Sequence, residues 1–271
     1  MSLVAVKELQ ERVSVLELKS QEFEASMVYA SRLQQAILPN EKLFQTAFSD
    51  AFVMYKPKDI ISGDFYWIYS TPKRIYFAVG DCTGHGIPGA MLNIAGNTLL
   101  REIIKVNEIT DPSEIIKKLD DGITTLFNEN LTKGNTRDGM DIAFCSLDID
   151  IGILSYCGAG RPLVLIRDNE VYEYKSGLNS VGYLENYQKQ FSTIELKIEP
   201  KDQIYLFSDG YTDQFGGDNV KKFNRKRFRT LLLSISEMEM VRQRKELELA
   251  FDNWTGSQDQ IDDVCVIGIR I

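Results

Sequence analysis

Four short aspartate phrases stand at the ends of apolar, strand-like runs: Ser62-Gly63-Asp64, Gly80-Asp81, Ser208-Asp209-Gly210 and Asp262-Asp263. Phe77-Ala-Val-Gly-Asp81 and Tyr205-Leu-Phe-Ser-Asp209 are nearly the same phrase: an apolar run, a small residue, then Asp. A carboxylate that ends a buried strand points into the rim of the core, where desolvation and like charges both oppose its ionisation. Should the strand ends meet, a hard divalent cation removes that conflict, because Mg²⁺ and Mn²⁺ prefer carboxylate, carbonyl and water oxygens. Each phrase alone reads more readily as a turn, since Gly-Asp and Asp-Gly are turn formers.

The remaining pattern says what such strands would belong to. Residues 51–55, 65–69 and 75–80 are rich in β-branched and aromatic residues and are bounded by turn residues. Helical patterns follow at 88–107, with Pro88 in the first turn, and at 112–129, with Asp111 as a cap before Pro112. Strands are expected near 140–148, 152–158, 162–166, 170–174, 191–197 and 202–208, helices near 225–236 and 239–252, and a last strand at 264–270. Blocks of strands interrupted by blocks of helices predict an α+β layered fold with antiparallel sheets and helices outside.

Residues 4–38 read as one helix that Pro39 stops. The positions Val6, Leu9, Val13, Leu16, Ser20, Phe23, Met27, Ala30, Gln34 and Ile37 step by three and four over more than four heptads, and eight of the ten are apolar. β-branched Val6 and Val13 at a, with Leu9 and Leu16 at d, favour a parallel two-stranded coiled coil. In that register Arg12 and Lys19 face Glu17 and Glu24 of a second copy. The alternative is a helix that packs back on its own domain, a role that suits Ser31–Ile37. The division expected is a helix over 1–38 and a globular domain over 39–271.

A net charge of −8 argues against nucleic acid as a partner. Cys82, Cys145, Cys157 and Cys265 form no C-x-x-C pair, so no structural zinc site is expected, and buried thiols in a reducing cytoplasm fit best. No apolar stretch of membrane-spanning length and no signal peptide appear. Met1-Ser2-Leu3 runs straight into helix, which leads us to expect further sequence upstream. The chain is then a cytoplasmic protein, or the cytoplasmic part of a longer, membrane-attached one.

The segment Val79-Gly-Asp-Cys-Thr-Gly-His-Gly-Ile-Pro-Gly-Ala90 resembles the signature of the SpoIIE/RsbU-type phosphatases, the bacterial branch of the type-2C (PPM) metal-dependent serine/threonine phosphatases. Ile61-Ser-Gly-Asp-Phe-Tyr66, Leu206-Phe-Ser-Asp-Gly-Tyr-Thr-Asp213 and Asp262-Asp263-Val264 resemble its other motifs, in the family's order, over about residues 27 to 271. The resemblance implies a β-sandwich of two antiparallel sheets flanked by helices (α-β-β-α layers) with two Mn²⁺ or Mg²⁺ ions at one edge. Asp81 matches the carboxylate that bridges the ions, Cys82 would offer its backbone carbonyl, and Asp64, Asp209 and Asp262 match the other ligands. Asp263 is expected behind Asp262, although the doublet leaves both open. The implied reaction is in-line attack of an activated water on phosphoserine or phosphothreonine, with no covalent enzyme intermediate. The implied substrate is a phosphorylated anti-sigma-factor antagonist of STAS type, and the implied upstream partner is a sensor domain.

Several residues keep two readings. His85 either protonates the leaving seryl oxygen or packs the turn; it lies four residues after Asp81, where eukaryotic relatives place a His at two. Gly84, Gly86 and Gly89 permit a tight turn or a close approach of phosphate. Gly158-Ala-Gly-Arg-Pro162 matches a family segment that usually carries His at the place of Arg161, either a phosphate-binding guanidinium or a strand-end Arg. Tyr187-Gln-Lys-Gln190 and the basic run Val220–Arg227 read as solvated surface. Two other functions compete: a catalytically silent dimeric scaffold of the same fold, and a phosphate-binding module without turnover. The second is weakened because no Walker-type loop is present.

Overall fold

The computed structural model describes residues 3–107, 109–127, 138–183 and 189–271. Twelve strands and seven helices follow one another along these residues. The strands are β1 (Asp50–Lys56), β2 (Phe65–Ser70), β3 (Arg74–Cys82), β4 (Met140–Asp148), β5 (Ile153–Ala159), β6 (Leu163–Arg167), β7 (Glu170–Tyr174), β8 (Ile194–Lys197), β9 (Gln203–Phe207), β10 (Phe215–Gly216), β11 (Lys221–Lys222) and β12 (Val264–Arg270). The helices are α1 (Leu3–Ile37), α2 (Lys42–Ala47), α3 (Gly86–Asn107), α4 (Pro112–Phe127), α5 (Gly210–Asp213), α6 (Arg225–Ile235) and α7 (Met240–Thr255). The sequence pattern anticipates all of these except the short α2 and α5 and the β10–β11 hairpin, which are too brief to show a period.

Two five-stranded sheets form the body, in the orders β1-β12-β9-β6-β7 and β2-β3-β4-β5-β8. Every pairing within them is antiparallel. The first sheet alternates strictly. Val53, Ile204, Leu206, Leu163, Leu165, Cys265 and Ile267 face the second sheet. Met54, Tyr205, Phe207, Val164, Ile166, Val264 and Val266 face the other way, onto Phe228, Leu232, Leu247 and Phe251 of α6 and α7. Both faces of these strands are therefore buried, which explains runs that are apolar throughout yet too short for helices. On the outer face of the second sheet lie α3 and α4, with Leu100, Ile115, Leu119 and Ile123 fully or almost fully buried. The layers are helix, sheet, sheet, helix, as the resemblance implies. Each large side chain in this core contributes roughly 1.5–3 kcal/mol of transfer free energy.

Helix α1 divides into two parts. Near its end Met27 packs with Ile61 and Ala90, and Ala30 lies against them. Gln34 is buried and exchanges two hydrogen bonds with the Ser62 backbone, Nε2 to the carbonyl at 2.6 Å and Oε1 from the amide at 3.1 Å. This is the packing-back reading, and it reaches further than Ser31–Ile37. Val13, Leu16 and Phe23, on the same heptad stripe, are exposed; the side chains of Val6 and Leu9 lie outside the described ones. Among the described residues no helix is long and apolar enough to cross a membrane. Tyr187 and Gln188 also fall outside the described residues, whereas Lys189 pairs with Asp120 at 2.6 Å.

Asp111 caps α4 as expected: its Oδ1 accepts from the Glu114 amide at 3.1 Å and from the Ser113 and Thr193 hydroxyls. Partial burial pushes its carboxyl up, but those hydrogen bonds outweigh this and hold it below the ordinary value of 3.8. A depressed folded pKa gives stability that is full above the unfolded value and lost as pH falls through the folded one. Asp111→Ala should cost about 1 kcal/mol near neutral pH, and chemical denaturation should show that cost shrinking below pH 3.8.

Candidate metal centre

Antiparallel pairing places the end of one strand beside the start of its neighbour. β3 ends at Asp81-Cys82 next to the starts of β2 and β4, with Phe65 opposite Gly80 and Asp81 opposite Asp141. In the other sheet β9 ends just before Asp209, beside the start of β12, which follows Asp262-Asp263. The four aspartate phrases therefore come to one end of the sandwich. Asp81, Asp141, Asp209 and Asp262 line a cavity of about 180 Å³ there, together with Cys82, Thr83, Gly84, His85, Arg161 and Tyr183. Asp64 lies beneath them and is fully buried.

The small residue before each aspartate has a local reason. A Cβ on Gly80 would lie 2.3 Å from the Phe65 ring, so only glycine admits that ring beside Asp64. In the matching phrase the Ser208 hydroxyl accepts the Cys265 amide at 2.9 Å and ties β9 to β12. Asp209 stands at the start of α5 without capping it. Its carboxylate is turned to Arg161 instead, 2.7 Å away.

The electrostatics are those of crowded acids. Asp64 Oδ2 is buried with no hydrogen-bond partner. Burial, and then Asp81, push the Asp64 carboxyl well above the usual carboxylate range. Burial also pushes Asp81 up, to about 7, with Asp209, Asp262 and Asp141 adding to it and Arg161 opposing. Asp262 is raised by burial and by Asp209. Asn93 Nδ2 donates to the Asp64 carbonyl at 2.6 Å and Tyr55 Oη donates to it at 3.1 Å, which fixes the backbone under this carboxylate. Hard oxygens, several negative charges and an orphaned buried carboxylate oxygen fit a divalent cation. Among the described residues no group of three such side chains forms a ready cage for an ion, since Arg161 stands between the carboxylates.

The doublet separates clearly. Both oxygens of Asp263 are occupied, accepting the Lys58 and Gly63 amides at 2.8 Å each, so this side chain fastens the loop before Asp64. Asp262 faces the cavity. Cys82 is buried, and burial followed by Asp81 raises its thiol well above the ordinary value, so no thiolate is offered. His85 is at the mouth, more than half exposed, with Nδ1 2.9 Å from Asp59 Oδ2. The glycines serve the turn: Gly84 and Gly86 have positive φ, and a Cβ on Gly89 would lie 2.3 Å from the Gly84 carbonyl oxygen. Asp141 is the residue the sequence reading missed. Its signal was present, an Asp at the start of the apolar run 140–148, but the turn pair Asp138-Gly139 stands one residue away from it rather than against it.

The family model described as Stage II sporulation protein E (SpoIIE) matches residues 71–271. The chain belongs to the SpoIIE family. Among solved structures, the SiaA-PP2C domain of Pseudomonas aeruginosa superposes with a TM-score of 0.84 at 26% identity, covering 93% of this chain and 98% of that one. The PP2C phosphatase domain of SpoIIE from Bacillus subtilis gives 0.66 at 16% identity, covering 82% and 63%. The RsbU and RsbW domains of Rv1364c from Mycobacterium tuberculosis give 0.64 at 20%, covering 82% and 60%. The last two show the fold alone. Protein IcfG of Synechocystis sp. is 24% identical over 181 residues, 59% of this chain, and the chain spans 28% of IcfG's length. The domain is that of a metal-dependent protein serine/threonine phosphatase of the PP2C type.

Asp263→Ala should strip the Lys58 and Gly63 amides of their acceptors and cost about 1–3 kcal/mol in denaturant unfolding. Asp262→Ala, measured in chelator, should cost less than about 1 kcal/mol, because the one amide it leaves without an acceptor, that of Asp263, is offset by removal of a charge that crowds its neighbours. Equal losses for the two would contradict the division of roles.

Proposed function

We propose that the chain hydrolyses phosphoserine or phosphothreonine on a protein, with Asp64, Asp81, Asp209, Asp262 and the Cys82 carbonyl holding two divalent cations, Mn²⁺ or Mg²⁺. The observation that carries this reading is the meeting of Asp81, Asp209 and Asp262, far apart in sequence, over the orphaned carboxylate oxygen of Asp64. Asp141 lines the same cavity and joins the set. When bound, such ions activate a water near neutral pH and neutralise charge on the phosphoryl oxygens. The protein's own part is placement. Asp263 and Gln34 fix the loop 57–63, Asn93 fixes the Asp64 backbone, and the Phe65 ring packs against Gly80 just before Asp81.

His85 is the chain's one histidine and lines the cavity. Asp59 takes its Nδ1, which leaves Nε2 to donate a proton to the departing seryl oxygen. The substrate we propose is a phosphorylated STAS-type anti-sigma-factor antagonist, in a partner-switching pathway. Relatives named for SiaA and for RsbU with RsbW support that setting. The exposed Val13, Leu16 and Phe23 stripe, with Arg12–Glu17 and Lys19–Glu24 complementarity, supports a parallel coiled-coil dimer through the first part of α1. An upstream sensor joined to that helix completes the proposal. A silent scaffold is less favoured, because every matched acidic position is kept.

Hydrolysis of p-nitrophenyl phosphate should require Mn²⁺ or Mg²⁺ and vanish with chelator and in Asp81→Asn. Metal binding without turnover would favour the scaffold. His85→Gln should lower kcat on a phosphoserine peptide by about a hundredfold and on p-nitrophenyl phosphate far less, since nitrophenolate leaves without a proton. Removing residues 1–26 ends the free stripe just before buried Met27. Light scattering should then show a monomer in place of a dimer, and an unchanged mass would refute the coiled coil.

A further inference from the structure

Arg161 sits where the chain steps from β5 in one sheet to β6 in the other. Its side chain is only 9% exposed, and its Nη2 lies 2.8 Å from Asp81, 2.7 Å from Asp209 and 3.3 Å from Asp141. Those carboxylates belong to both sheets, so one guanidinium spans the mouth of the sandwich. The root of the side chain is fixed. Tyr156 Oη donates to the Arg161 carbonyl at 2.5 Å. Gly160 has φ +78°, and a Cβ there would lie 2.2 Å from the Asp141 carboxyl carbon. The head is held differently: Nε is buried without an acceptor, so the guanidinium is seated by charge rather than by a full set of hydrogen bonds.

A buried guanidinium is costly, and so are three crowded carboxylates; each offsets the other. Burial works against the charged form of Arg161, and Asp81, Asp209 and Asp141 outweigh it. A divalent ion in this cavity would call on the same hard oxygens. It would also place two further positive charges beside the guanidinium, which repel it. We propose that Arg161 is the built-in counter-cation of the acidic cavity, holding it together without metal and competing with divalent ions for Asp81, Asp141 and Asp209. The side chain thereby sets how tightly the site takes metal. This inference rests on the metal-centre reading above.

The test is calorimetric titration of the whole chain with Mn²⁺ alone, near neutral pH. Arg161→Met should bind Mn²⁺ more tightly than the parent by about tenfold or more, because the competing charge is gone. In chelator the same variant should melt below the parent, and Mn²⁺ should raise its melting temperature by more than it raises the parent's. Mn²⁺ affinity that is unchanged or weaker in Arg161→Met overturns the proposal. If that variant folds only with Mn²⁺ present, the counter-cation role is supported. If it folds under neither condition, Arg161→Lys decides: an ammonium lacks the planar fork, so it competes less well and Mn²⁺ should bind tighter than to the parent. Equal or weaker binding to Arg161→Lys would then overturn it. Parent binding that Asp81→Asn abolishes, with Arg161 variants unchanged, refutes the counter-cation alone. Absence of Mn²⁺ binding in the parent and in every Arg161 variant refutes the metal centre itself.

Discussion

Carboxylates gathered at one end of a buried sandwich repel each other and resist burial, and the rest of this structure is arranged around that conflict. Antiparallel pairing creates it, because Asp81 must lie opposite Asp141 once β3 and β4 are in register. The inter-sheet core then brings Asp209 and Asp262 to the same end. Like charges in low dielectric cannot simply be left there. Raised carboxyl pKa values, the seat of Arg161 among three acids, and the orphaned Asp64 oxygen are separate expressions of one strain. A divalent cation held by these oxygens would relieve that strain.

The surroundings hold this strain in place. Asp263 spends both oxygens on backbone amides of the loop before Asp64, and Gln34 clasps the same loop at Ser62. Asn93, from α3, holds the Asp64 carbonyl. None of these three side chains lines the cavity, yet each fixes the backbone from which a carboxylate projects. Gln34 also connects that loop to α1, so the long helix and the acidic cavity share a mechanical link. The helix itself changes role along its length, from an exposed stripe at Val13–Phe23 to a packed face at Met27–Gln34.

Much of the architecture was legible because burial leaves a period. Strands of the first sheet are covered on both faces, and their runs are apolar without gaps. Pro39 and the Asp111-Pro112 pair mark helix ends for reasons of backbone geometry that hold in any fold. The heptad stripe was equally plain, but it carries the same letters whether it meets a second copy or its own domain. Only the contacts of Met27 and Gln34 separate the two halves.

The candidate site was legible where a turn residue flagged the aspartate, as at Gly63-Asp64, Gly80-Asp81 and Asp209-Gly210. No turn residue adjoins Asp141, since Met140 separates it from Asp138-Gly139; what makes it part of the site is the residue across from it on β3. Arg161 reads as an ordinary strand-end Arg until the crossover between sheets is seen to aim it inward. The amino-acid sequence by itself determined which strands form, that both of their faces are buried, and that several end in acids, since these depend on local propensity and hydrophobic period. The tertiary structure alone decided which acids meet, which of Asp262 and Asp263 faces the cavity, and that a guanidinium lies among them. Those outcomes depend on register and on the packing of two sheets, which bring together residues more than a hundred positions apart.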